Sequence, residues 1–74
     1  MASSRRFSLK YNEESEKWEL RNEQNSRLVR SFGSKEAATR AGVLEREIGA
    51  AGGSVVIRKK GGVFEEERRF GGRR

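Results

Sequence analysis

The chain has 74 residues, 38% of them charged and 32% hydrophobic, and its net charge is +6. That length holds one domain with a small core, which buries roughly 60% of the surface its unfolded chain exposes. Cysteine and histidine are absent, which excludes disulfides, thiol chemistry and zinc sites of the usual ligand types, and removes the commonest general base near neutral pH.

Met1 to Arg6 is small, polar and basic and reads as a disordered N-terminus. Phe7, Leu9 and Tyr11 alternate with Ser8 and Lys10, the period of a half-buried strand. Asn12 to Ser15 is a polar turn, after which Trp18 and Leu20 repeat the alternation between Lys17, Glu19 and Arg21. Asn22 to Ser26 is a second polar break. Leu28 to Phe32 gives a third strand whose parity is mixed, because Leu28, Val29 and Phe32 do not share one face. Three strands on short links predict an antiparallel meander.

At Gly33-Ser34 the period changes. Ser34 is a good N-cap, and Glu36 lies in the first turn, where the helix dipole favours a negative charge. Ala37, Ala41, Leu44 and Ile48 fall at helical spacing and predict one helix with one apolar face. Gly42 costs that helix roughly 1 kcal/mol relative to Ala and would permit a close approach to the sheet, and Gly49, Gly52 and Gly53 supply its end. Val55, Val56 and Ile57 make a β-branched fourth strand. Gly61-Gly62 reads as a hairpin turn and Val63 to Phe70 as the return strand. A tight closure would set Arg58 opposite Glu65 and Val56 opposite Glu67. Val63 and Phe70 then have opposite parity, so a bulge intervenes or one of them points outward.

The expected architecture is α+β: a single antiparallel sheet in the order β-β-β-α-β-β with one helix packed on one face. The domain runs over residues 7–70, between a basic N-terminus (1–6) and a disordered basic C-terminal tail (71–74). Its expected core is Phe7, Leu9, Trp18, Leu20, Leu28, Phe32, Ala37, Ala41, Leu44, Ile48, Val55 and Ile57. No apolar run is long enough for a signal peptide or a membrane span, and with no disulfide to form, the cytoplasm is the expected compartment.

Four pieces in order give the chain a family likeness: Trp18-Glu19-Leu20; Phe32-Gly-Ser-Lys-Glu-Ala-Ala38; Gly53-Ser-Val-Val-Ile-Arg-Lys59; and Gly62-Val-Phe-Glu-Glu-Glu-Arg68. Together they resemble the small bacterial and archaeal proteins catalogued as domain of unknown function 2188, over about Phe7 to Phe70. The resemblance implies a compact α+β unit and no particular activity, so it assigns no site residues. A looser likeness, over Phe7 to Ile48, is to the N-terminal arm-binding domains of tyrosine integrases, which run three antiparallel strands into a helix and read DNA with the sheet face. The hairpin after the helix departs from that pattern.

The whole charge excess sits at the ends, on Arg5, Arg6, Arg68, Arg69, Arg73 and Arg74; the stretch between is neutral. Flexible basic arms neutralise phosphates. The Arg58-Lys59-Lys60 run before Gly61-Gly62 offers cations beside a glycine-rich turn, against the plainer reading of an edge strand protected by its charges. Glu65-Glu66-Glu67 would suit a cation or acid–base pair only with a further ligand or base, so it reads as solvated strand charge neutralised by Arg58 to Lys60. Phe7, Tyr11 and Trp18 would stack on bases if exposed, but a domain this small needs them in its core.

Two readings follow. In the first, the protein is not an enzyme and associates weakly, without sequence preference, with DNA or RNA phosphates through Arg5, Arg6, Arg58, Lys59, Lys60, Arg73 and Arg74. In the second, it is a protein-interaction or accessory module that pairs an exposed edge strand with a protein partner or with itself as a homodimer. Neither reading involves a membrane, a metal or a cofactor.

Overall fold

The computed structural model describes residues 5–49 and 52–71. Five strands and two short helices follow in the order β1 (Arg6–Asn12), β2 (Lys17–Asn22), β3 (Arg27–Phe32), α1 (Lys35–Thr39), α2 (Val43–Ile48), β4 (Gly53–Arg58) and β5 (Phe64–Phe70). The strands form one sheet in the order β3-β2-β1-β4-β5.

The α+β class stands, and three details of the expected architecture are corrected. The sheet is mixed: β1 pairs antiparallel with β2 but parallel with β4. The reason is topological. The meander leaves one flank of β1 free, and a helical return from the far edge delivers β4 to that flank in the direction of β1. The helix is also two helices. Arg40 leaves the helical region (ψ 148°) and Gly42 adopts a left-handed φ of 84°, so the chain breaks where glycine makes breaking cheap. Ser34 caps α1 as expected, its side chain accepting from the Ala37 amide at 3.0 Å. The break rotates the apolar stripe: Ala38 is fully buried with Leu44 and Ile48, while Ala37 is half-buried and Ala41 exposed.

The remaining core is Phe7, Leu9, Trp18, Leu20, Val55 and Ile57, with Tyr11, Phe32 and Phe70 packed against it. Leu28 is the third correction, being 45% exposed. A bulge in the β2–β3 register pairs Leu20 with Arg30 but Arg21 with Leu28, which moves Leu28 to the other face of the sheet from Phe32. That bulge is the physical content of the mixed parity in the third strand.

Both hairpins of the meander use one device. Asn12 accepts from the Glu14 amide at 2.8 Å, and Asn22 from the Gln24 amide at 2.8 Å. Each turn then closes through a non-glycine residue at positive φ, Glu16 at 57° and Ser26 at 61°. In the last hairpin the loop is one residue longer than a tight turn, with the Lys59 amide donating to the Val63 carbonyl at 2.7 Å. Arg58 therefore faces Phe64 rather than Glu65. A bulge between Ile57 and Arg58 takes up the extra residue, and Val56 does face Glu67.

Candidate nucleic-acid interface

The two faces of the sheet differ in kind. The face under the helices holds the apolar phase of each strand, and three ion pairs stand at its rim: Arg30 with Glu47 at 2.9 Å, Arg68 with Glu66 at 3.2 Å, and Lys35 with Glu65. The opposite face has no layer over it among the described residues. The register sets its side chains in rows: Arg6, Ser54 and Arg69 across one end; Leu28, Arg21, Ser8, Val56 and Glu67 across the middle; Ser31, Glu19 and Lys10 across the other end, with Arg58 next along β4.

Six cations on this face, Arg6, Lys10, Lys17, Arg21, Arg58 and Arg69, thus stand against three carboxylates, Glu19, Glu23 and Glu67. Glu19 is engaged twice, by Arg21 at 3.0 Å and by the Asn12 amide group at 3.1 Å. Arg69 lies 3.9 Å from Glu67. Arg6, Lys10 and Arg58 have no carboxylate partner among the described residues. A shallow recess of about 150 Å³ opens on this face between Ser8, Lys10, Arg21, Asn22, Glu23 and Ser26.

The sequence-derived site residues divide among three situations. Arg5 is not a free arm: its guanidinium donates to the carbonyls of Ile48 and of Gly52 (3.4 Å), and it lies 5.3 Å over the Phe7 ring. Arg6 is exposed and is already the first residue of β1. Arg58, Lys59 and Lys60 lie at the opposite end of the strands, because β4 runs parallel to β1. Arg58 lies four register positions from Arg6, roughly 13 Å along the strands. Lys60 is 4.6 Å above the Tyr11 ring, and Arg58 donates to the Gly62 carbonyl at 3.2 Å. Arg73 and Arg74 lie outside the described residues, as do residues 1–4 and 72.

Sequence reasoning missed Lys10, Lys17, Arg21 and Arg69, which share the open face with Arg6 and Arg58. The signal was present in the polar phase of the strands, Arg6-x-Ser8-x-Lys10 and Glu19-x-Arg21, which marks a face as surely as the apolar phase marks the core. The acidic run is neutralised, though by other partners than expected: Lys35 of α1 for Glu65, and Arg68 and Arg69 of the same strand for Glu66 and Glu67. Phe7 and Trp18 are core residues, and the half-buried Tyr11 ring packs on Trp18 at 5.5 Å. Among the described residues no group of three or more carboxylates gathers as a metal site, and no helix is long and apolar enough to cross a membrane.

The model of a family described as an uncharacterized protein conserved in bacteria, DUF2188, matches residues 10–70. The chain belongs to this family. The DUF2188 match takes in the end of β1, the β2–β3 hairpin, the two helices and the β4–β5 pair, and within it lie Lys10, Arg58, Lys59 and Lys60. Arg5, Arg6, Arg73 and Arg74 fall outside it. Comparison with curated proteins and comparison with solved structures each return no match.

Proposed function

We propose that the protein is a non-enzymatic binder of nucleic-acid phosphates that lays the uncovered sheet face along the backbone of DNA or RNA. The observation that carries this reading is the uncovered sheet face with its excess of cations, led by Arg6, Lys10 and Arg58, while three ion pairs stand at the helix-side rim. Lys59 follows Arg58 beyond the end of β4, Lys60 lies over the Tyr11 ring at the same end of the sheet, and Arg73 and Arg74 follow β5 in the sequence. Phe7 and Trp18 are spent on the core, and the exposed Phe64 opposite Arg58 could stack on any base; the reading is therefore of contacts without sequence preference.

Fluorescence anisotropy with a labelled duplex and a labelled single strand, of DNA and of RNA, tests it. Dissociation constants of about 10⁻⁴–10⁻⁶ M are expected, with log affinity falling linearly in log salt by about 0.9 per phosphate neutralised on duplex DNA. No saturable binding to any of the four probes below about 100 μM at low salt would refute the reading.

A further inference from the structure

β5 is an edge strand, paired with β4 on one side only. Its sequence is Phe-Glu-Glu-Glu-Arg-Arg-Phe, carboxylates in the first half and guanidiniums in the second. Read backwards, it presents cations where the forward copy presents anions. We infer that β5 pairs antiparallel with β5 of a second copy of this chain about a two-fold axis at Glu67, joining two sheets edge to edge.

The register follows from symmetry and charge. A two-fold axis normal to the sheet sets residues of like parity opposite one another, so it passes through a single residue position. An axis at Glu66 would oppose Glu66 to itself and Glu65 to Glu67. One at Arg68 would oppose the two Arg68 side chains and leave Glu66 against Phe70. An axis at Glu67 sets Glu66 against Arg68 of the second copy, and does so twice. These two residues already share the helix side of β5, 3.2 Å apart. Their doubling makes a four-membered ring of alternating charge, and opposite charges set across strands are favourable. Glu67 alone meets its own kind, and Arg69 of its own chain stands 3.9 Å from it.

The other edge, β3, has no such complementarity. It reads Arg-Leu-Val-Arg-Ser-Phe, its charges are all positive, and it carries the bulge opposite Leu20 and Arg21. A bulge and like charges are the ordinary protections of an edge. On β5 the bulge lies at the start of the strand, next to Arg58, and Glu66 to Phe70 pair regularly with β4. Phe64 is 54% exposed at that start, where the end of the second copy's strand would arrive.

Because the chain has no cysteine, single cysteines report the register directly. Glu67→Cys places two thiols opposite each other at a spacing that suits a disulfide. It should cross-link under mild oxidant at least about tenfold faster than Arg69→Cys or the α1 surface control Glu36→Cys. In sedimentation of the cysteine-free chain without nucleic acid, a dimer should form as the concentration approaches about 1 mM. Arg68→Glu should abolish it and the double swap Glu66→Arg/Arg68→Glu should restore it, with circular dichroism confirming that both variants fold. A strict monomer at about 1 mM, together with Glu67→Cys cross-linking no faster than Glu36→Cys, overturns the inference and leaves the edge to a strand of another protein. Fastest cross-linking at Arg69→Cys overturns the register. None of these readouts depends on nucleic acid, so the inference and the proposed function fail separately.

Discussion

The guanidinium of Arg5 donates to the carbonyl of Ile48, the last residue of α2. A cation at a helix C-terminus meets both an unsatisfied carbonyl and the negative end of the dipole. The same device recurs at α1, where Arg68 donates to the Thr39 carbonyl at 3.4 Å. Helices of five and six residues do not hold themselves together, and these anchors tie each one to a strand. Arg5→Ala should lower stability by about 1–2 kcal/mol. Urea unfolding followed by the emission of Trp18, the chain's single tryptophan, measures it.

Gly53 is required by a close approach. Its φ is 149°, and a Cβ there would sit 2.7 Å from the Arg5 carbonyl oxygen and 3.2 Å from the Phe7 ring. Neither neighbour can retreat, since that carbonyl accepts from the Ser54 amide at 2.9 Å and Phe7 is in the core. Gly53→Ala should cost about 2 kcal/mol or more. Gly61→Ala, where nothing lies within 4 Å, should cost far less. Thermal melts of the two variants side by side make the comparison.

The meander turns hold strain that glycine relieves. Glu16 and Ser26 each adopt a left-handed φ that L-residues other than Asn and Asp rarely choose. Glu16→Gly and Ser26→Gly should each raise stability by about 0.5–1 kcal/mol, read as a higher urea midpoint at unchanged slope.

Much of this fold was legible because period and punctuation agree in it. Phe7, Leu9, Trp18, Leu20, Val55 and Ile57 all sit in the core phase that their alternation marks. What escaped was the outcome of the events that change phase. A bulge sends Leu28 outward, another resets the β4–β5 register after Arg58, and the turn at Gly42 exchanges Ala37 and Ala41 for Ala38. Conflicting parity announced the first two, but where each falls and which residue it turns outward is decided by the tertiary fit. The parallel pairing of β1 with β4 is of the same kind, since strand direction follows from where the helical return lands. At the site, counting charge by sequence position drew attention to the chain ends. The cations of the open face are instead dispersed one per alternate residue across the strands, and the sheet brings them together.

Placement of charge, rather than its amount, should govern nucleic-acid affinity. Lys10→Glu/Arg58→Glu on the open face should weaken binding at least about tenfold at low salt. Arg40→Glu/Arg46→Glu, at exposed helix-side positions and with the same change in net charge, should weaken it by less than about threefold. Anisotropy titrations of the two double variants at one salt concentration separate face from net charge.

The most direct measurement is a methyl NMR titration with a short DNA duplex, using side chains on the two sides of one sheet. Val56 belongs to the open face and is half-buried; Leu44 and Ile48 lie in the helical layer and are buried. Movement of the Val56 methyl signals together with the Arg58 side-chain NH, while Leu44 and Ile48 stay still, is the expected pattern. Shifts led by Leu44 and Ile48, or no shift at Val56 under saturating duplex, would mean that the uncovered face is not where phosphate binds.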